Sequence, residues 1–256
     1  ETGCIRHHLY MKKKTIIKTI LENIKTLIGA LIIAILIRSL ILQPFYIPSS
    51  SMEPTLLVGD RIFVAKYTYG YSKHSFPFSP AIFNNRLFSQ KPKRGDLVVF
   101  KTPSDNRTDY IKRLIGFPGD SIQFINGELY LNSKKIKKEI INNSNLIRCG
   151  NFNLEVNTFI ETLPNGIEHR TVYKKKGSLQ NTKSYKVPAN HYFLLGDNRD
   201  CSKDSRYLDS VGYVNNNNLV GNAKIIFFSN DTKISPLIKF WNLKNSFRLE
   251  RLFKIL

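Results

Sequence analysis

DYIKRLIGFPGDSIQFINGELYLN, residues 109–132, decides the fold class. YIKRLIG (110–116), SIQFI (121–125) and ELYLN (128–132) are short runs rich in Ile, Leu, Tyr and Phe, and each is bounded by turn residues. Phe117-Pro118-Gly119-Asp120 breaks the chain once and Asn126-Gly127 breaks it again. An Asn-Gly pair between two strands is the strongest two-residue hairpin signal, because the favoured turn needs positive φ at both positions. Alternation along 110–116 puts Tyr110, Lys112 and Leu114 on one face and Ile111, Arg113 and Ile115 on the other. One of Lys112 and Arg113 is therefore expected to face the interior and the other to face away.

The same texture extends in both directions. RIFVAKY (61–67), DLVVFK (96–101), HYFLLG (191–196) and GNAKIIFF (221–228) read as strands, and helical periodicity is scarce between 44 and 228. The expected fold is mostly β, an antiparallel core with an inserted smaller β subdomain. The expected division is a core of 43–132 and 188–233, an insert of 133–187 rich in Lys and Asn, and a tail of 234–256. The tail mixes Ile, Leu, Phe and Trp241 with Lys and Arg, which suits a basic amphipathic helix on a membrane surface or on the core. A second insertion, 68–93, carries Tyr69, Tyr71, Phe76, Phe78, Phe83 and Phe88 among prolines and basic residues. Those rings are expected at a bilayer interface, where aromatic groups and cations meet lipid headgroups.

Upstream, residues 1–10 (ETGCIRHHLY) show no pattern and are expected to be an extension preceding Met11. Lys12, Lys13, Lys14, Lys18 and Lys25 then lead into LIGALIIAILIRSLIL (27–42). With Lys25 and Arg38 snorkelling, 24–42 reaches the roughly 17–25 residues that a bilayer span needs. A retained anchor and a cleaved signal peptide both fit a lysine-rich start followed by an apolar run. The anchor reading places 1–23 in the cytoplasm and the remainder on the exported side.

Composition bounds the function classes. The 256 residues suffice for a sizeable core, and 42% hydrophobic content argues against disorder. The net charge of +20 could suit nucleic acid or an anionic membrane, but the basic residues are dispersed. No zinc finger, RNP motif or basic helix is present, so nucleic acid is not an expected partner. Cys4, Cys149 and Cys201 are too few for a disulfide framework or a zinc site. A Cys149–Cys201 pair stays open, for an oxidising compartment only.

Three segments carry candidate chemistry. IPSSSMEPTL (47–56) holds three serines between Pro48 and Pro54, which stiffen the backbone. Serine needs a nearby base, and no His/Asp pair accompanies it in these segments. Lys112, in an apolar strand, can act as that base if desolvation lowers its pKa by several units. GDNRDCSKDSR (196–206) concentrates Asp197, Arg199, Asp200, Asp204 and Arg206 around Ser202, as in a loop held by ion pairs. Taken singly, the plain alternatives are a Ser/Pro linker, a solvated lysine and a charged turn.

Taken together and in order, with Arg38 through Pro44-Phe45 and KRGDLVVFK (93–101), these segments resemble the bacterial type I signal peptidases, membrane-bound Ser/Lys endopeptidases. The likeness covers residues 38–228. It implies Ser51 as nucleophile, Lys112 as general base, and Ser49 with the backbone N–H of Ser51 as oxyanion hole. It implies that Ser202 orients the lysine, that Asp204 and Arg206 pair to support their loop, and that Asp197 and Arg113 brace it. Phe45, Ile47, Pro48, Met52, Leu56, Tyr110 and Ile111 fall where the family binds substrate. Ser50 stands where Gly is frequent, and Cys201 where Asn is common. The resemblance further implies preprotein signal peptides as substrate, small residues at the first and third positions before the cut, no metal or organic cofactor, a bilayer partner, nearness to the secretion translocon, and a single-pass inner-membrane location. A self-cleaving repressor-type Ser/Lys protease would lack the apolar N-terminal helix, and a tethered β-sheet binding protein would not need Ser51, Lys112 and Ser202 together.

Overall fold

The computed structural model describes residues 2–76, 79–80, 85–150, 152–231 and 247–256. One helix, α1 (Thr2–Leu40), leads into strands. Leu, Ile, Ala and Lys favour the helix, and Pro44 beyond its end cannot continue it. Within α1, Ile17–Leu40 is a 24-residue apolar stretch with mean hydropathy 2.1, its spanning window is unburied, and only near its end does Ser39 become buried.

The strands follow in order. They are β1 (Leu42–Tyr46), β2 (Asp60–Ala65), β3 (Leu97–Lys101), β4 (Asp109–Gly116), β5 (Ser121–Ile125), β6 (Glu128–Leu131), β7 (Lys134–Lys135) and β8 (Lys137–Cys149). The remainder are β9 (Phe152–Thr162), β10 (Glu168–Lys174), β11 (Tyr185–Lys186), β12 (His191–Leu195), β13 (Val214–Asn215), β14 (Leu219–Ser229) and β15 (Lys254–Ile255). An eight-stranded sheet runs β1-β2-β14-β3-β4-β12-β13, with β15 paired to β14. All its pairings are antiparallel. The expected mostly β, antiparallel fold is thus borne out.

Leu97, Val98, Val99 and Phe100 are all buried, so β3 has covered faces on both sides, as its unbroken apolar run requires. Val98 and Phe100 join Leu114 and Leu194 in one cluster, while Leu97 and Val99 join Ile47, Met52 and Ile62 in another. A third cluster packs Ile115 and Phe193 against a four-stranded sheet, β11-β5-β6-β7. That sheet draws β5 and β6 from the expected core and β7 and β11 from the expected insert. At the β5–β6 turn Asn126 and Gly127 both have positive φ, 49° and 74°, as the hairpin reading requires. The long hairpin β8–β9 and β10 make a separate three-stranded sheet.

Two readings change. The tail is described only from residue 247, so 234–246, including Trp241, lie outside the described residues. Its end is a 3-10 turn (Leu249–Arg251) followed by β15, where Arg251 pairs with buried Asp60 at 2.5 Å. Core packing, not an amphipathic helix, accounts for that portion. In the 68–93 insertion Tyr69 is fully buried and donates to Asp96 at 2.9 Å, which removes it from any interface. Phe88 is 82% exposed, whereas Phe78 and Phe83 lie outside the described residues. Tyr71 ties the insertion to the end of α1 by donating to the Leu40 carbonyl at 2.9 Å.

Candidate active site

Ser51 sits in a one-turn 3-10 helix, Ser50–Met52, between β1 and β2. Lys112 is on β4, opposite Val98 of β3. The two side chains meet with Lys112 Nζ 2.8 Å from Ser51 Oγ, and the same nitrogen donates to the Ile111 carbonyl at 2.9 Å. Lys112 is 3% exposed, and burial pushes its pKa down to about 8 although Asp204 and Asp197 pull it up. Ser49 Oγ lies 3.4 Å from Ser51 Oγ on the open side of the turn. Ser51 is in the first turn of its helix, where backbone N–H groups have no intrahelical acceptor.

Arg113, the next residue, is also buried, contrary to the expectation that one of the pair faces away. The loop 196–206 covers its side of β4. Arg113 Nη2 pairs with Asp197 Oδ2 at 2.6 Å, and Nη1 donates to the Gly95 carbonyl at 2.8 Å. Burial pushes the Asp197 carboxyl up, but the Arg113 guanidinium more than offsets this and holds it below its usual range. Asp204 behaves alike: burial raises it, and Arg206, 2.8 Å away, brings it below normal.

Sequence reasoning missed several partners of this loop. The Asn198 backbone N–H donates to the Ser51 carbonyl at 3.2 Å, and its side-chain amide donates to the Ser50 carbonyl at 3.1 Å. Thr55 donates to Asp197 at 2.6 Å. Arg199 makes a bidentate pair with Glu161 on β9, 2.8 and 2.7 Å, and Tyr173 on β10 donates to the same carboxylate at 2.7 Å. Cys149, at the end of β8, and Cys201 form a disulfide, which resolves the pairing left open by spacing. Ser50 Oγ lies 3.5 Å from Cys201 Sγ. Only the density of charge at 196–206 signalled these contacts, since their partners are remote in sequence.

Ser202 is buried, and its hydroxyl helps hold the Asp204 carboxyl below its usual range, whereas Lys112 Nζ bonds Ser51 and the Ile111 carbonyl. Ser202 also packs on Gly196. A Cβ at Gly196 would overlap the Ser202 side chain and come within 2.6 Å of the Ser51 carbonyl oxygen. Gly196→Ala is therefore expected to displace Ser51 and to lower peptidase turnover by about 10²-fold with the fold retained. Steady-state kinetics of the purified variant check this, and turnover within twofold of wild type would refute it.

A cleft of about 410 Å³ opens beside the pair. Phe45, Ile47, Pro48, Met52, Tyr110 and Ile111 line it, as do Cys201 and Lys203. Leu56 does not: it is fully buried in the core cluster behind Met52. β12 pairs with β4 only from Arg113 to Gly116, leaving one edge of 109–112 without a strand among the described residues. Among the described residues β1 pairs with β2 alone, which leaves its outer edge without a strand too. The cleft thus lies between two unpaired strand edges, a geometry that accepts an extended peptide. Among the described residues no group of three or more His, Cys, Asp or Glu side chains is placed to hold a metal.

Comparison with known proteins shows the family. Residues 20–228 match the family model described as signal peptidase, peptidase S26. Signal peptidase I of Rickettsia typhi is 41% identical, covering 93% of this chain and 94% of that protein, and that of Rickettsia prowazekii is 40% identical with the same coverage. A solved signal peptidase I from Enterococcus faecalis V583 is 27% identical over 52% of this chain and 97% of its own, with a TM-score of 0.31, too low a superposition to add weight. With most of its length matched both by the family model and by these relatives, the chain belongs to the signal peptidase I enzymes of the peptidase S26 family.

Proposed function

We propose that this enzyme removes signal peptides from exported preproteins by a Ser51–Lys112 dyad, on the outer side of the membrane crossed by α1. The approach of Lys112 Nζ to Ser51 Oγ in a buried site carries the reading. A preprotein segment adds as a strand between the edges of β1 and β4. Side chains two positions apart point the same way along such a strand, so the first and third residues before the cut face the cleft wall together. Phe45, Ile47, Met52, Tyr110 and Ile111 leave room there for small side chains.

Neutral Lys112 takes the Ser51 proton while Oγ attacks the scissile carbonyl carbon. The oxyanion forms beside the Ser51 N–H and the Ser49 hydroxyl, which stabilise charge that exists only in the transition state. The C–N bond then breaks, and the Lys112 ammonium returns its proton to the amine of the released mature protein. Water, deprotonated by Lys112, attacks the acyl ester, the Ser51 oxygen leaves and takes that proton back from Lys112, and the signal peptide carboxylate is freed. Arg113–Asp197 and Arg206–Asp204 hold the loop against the Ser51 turn, and Ser202 packs on Gly196 and supports Asp204. No cofactor takes part in this scheme. The proposal includes the core 43–132 with 188–233 and the insert 133–187, a cytoplasmic N-terminus, an inner-membrane location and nearness to the translocon. Lysines ahead of a long apolar helix whose spanning window is unburied support the anchor and its orientation.

Cleavage of a preprotein by the full chain tests the proposal. Ser51→Ala is expected to lower turnover by roughly 10⁴-fold or more, and adding Lys112→Ala is expected to cost nothing further, because the two act as a unit. Near-wild-type cleavage by Ser51→Ala would overturn it.

A further inference from the structure

A second cavity, of about 540 Å³, opens where α1 meets the β domain and shares Phe45 and Asp109 as wall residues with the substrate cleft. Its lining is strongly cationic. Arg38, Lys66, Lys73, Lys101 and Arg107 contribute five cations against two carboxylates. Both carboxylates are already engaged. Asp109 pairs with Lys101 at 2.9 Å, and Asp105 accepts from Thr102, Thr108 and the backbone N–H groups of Arg107 and Thr108. Lys66 is buried, and its Nζ donates to the Ser75 carbonyl at 2.5 Å. Arg38, Lys73 and Arg107 have no ion-pair partner among the described residues.

A second observation points to a ligand. Ser39, 2% exposed, also lines the cavity, and its hydroxyl has no hydrogen-bond partner. A buried hydroxyl without a partner is costly unless something bonds to it. Three unmatched cations and a free hydroxyl donor around one cavity call for an oxygen-rich anion. Arg38 and Ser39 lie in the last turn of the apolar helix, at the level where lipid phosphates sit just beyond the hydrocarbon.

We propose that this cavity binds the phosphate of an anionic phospholipid headgroup, and so holds the cleft at the membrane surface where a signal peptide leaves the bilayer. The inference rests on reading α1 as a membrane span. Arg38, Lys73 and Arg107 meet the phosphate, Ser39 donates its hydroxyl hydrogen, and the lipid's shared wall with the cleft fixes the level of the substrate strand.

The test titrates the full chain, in neutral detergent, with phosphatidylglycerol or phosphatidylcholine and counts bound lipid by native mass spectrometry. Wild type is expected to prefer phosphatidylglycerol. Arg38→Gln with Lys73→Gln and Arg107→Gln is expected to weaken that binding about fivefold per cation, on the order of a hundredfold together. Lys134→Gln with Lys183→Gln and Lys186→Gln, the same charge loss at exposed sites elsewhere, is expected to leave it unchanged. Equal binding of the two lipids, equal losses in the two triple variants, or displacement of the lipid by millimolar inorganic phosphate would each overturn the proposal. Flotation with phosphatidylcholine vesicles reads the anchor separately. A chain that floats but shows no lipid preference fails this inference alone, and a chain that does not float fails the membrane reading.

Discussion

Lys112→Met is expected to abolish cleavage and at the same time to make the protein more stable. The catalytic loss follows from removing the proposed base beside Ser51, and is roughly 10⁴-fold or more by analogy with other catalytic units. The gain follows from linkage. Lys112 has its pKa lowered from 10.5 to about 8 by burial. The unfolded chain therefore holds that proton more tightly than the folded one, and protonation favours unfolding. The cost is fully present below about pH 8, shrinks between 8 and 10.5, and is gone above. At pH 7 it is on the order of 3 kcal/mol, less about 1 kcal/mol for the hydrogen bonds lost with the amine. Urea unfolding at pH 7 and pH 10.5 checks both arms. The variant should unfold at higher urea at pH 7, and the difference should close as pH rises. Equal midpoints at pH 7, or a less stable variant, would show that Lys112 is not held in a desolvated site.

Glu161→Ala is expected to lower stability by about 3–5 kcal/mol, and preprotein cleavage with it, although Glu161 touches neither Ser51 nor Lys112. The substitution strands the Arg199 guanidinium in a fully buried site, where its remaining hydrogen bonds among the described residues go to the Tyr173 hydroxyl and the Gly196 carbonyl. His169 does not compensate: burial pushes its pKa down to about 4, so it is neutral at pH 7 despite lying 3.7 Å from Glu161. Replacing both partners with apolar residues, Glu161→Leu with Arg199→Met, should recover most of the loss, because no unpaired charge is then buried. If the single variant unfolds within about 1 kcal/mol of wild type, the pair does not join β9 to the active-site loop as strongly as its geometry indicates.

The parts legible from sequence were those encoded locally. Strand alternation and the Asn126-Gly127 turn depend on neighbouring residues, and both appear where expected. Ser51 and Lys112 were candidates by a proline-stiffened turn and an apolar strand, but only the ordered set of segments and its family resemblance singled them out. What escaped depends on segments far apart in the chain. Arg113 looked like the outward neighbour of Lys112, but the 196–206 loop covers that side of β4 and buries both. Cys149 and Cys201 are 52 residues apart, and nothing local says that the end of β8 returns to the Ser51 turn. Leu56 lies four residues from Met52, yet it enters the core while Met52 also lines the cleft. Gly196 stood in plain view in GDNRD, but its need to be Gly arises from Ser202 and the Ser51 carbonyl packing against it.

The central claim is that a neutral lysine activates Ser51, and the pH dependence of kcat/KM for preprotein cleavage tests it most directly. This quantity reports the ionisation of the free enzyme. The base works only when unprotonated, so kcat/KM should rise about tenfold per pH unit below the Lys112 pKa, which is lowered to about 8, and level off above it. A profile already flat from pH 6 upward, or one that levels near the ordinary histidine pKa, would contradict the Ser51–Lys112 assignment.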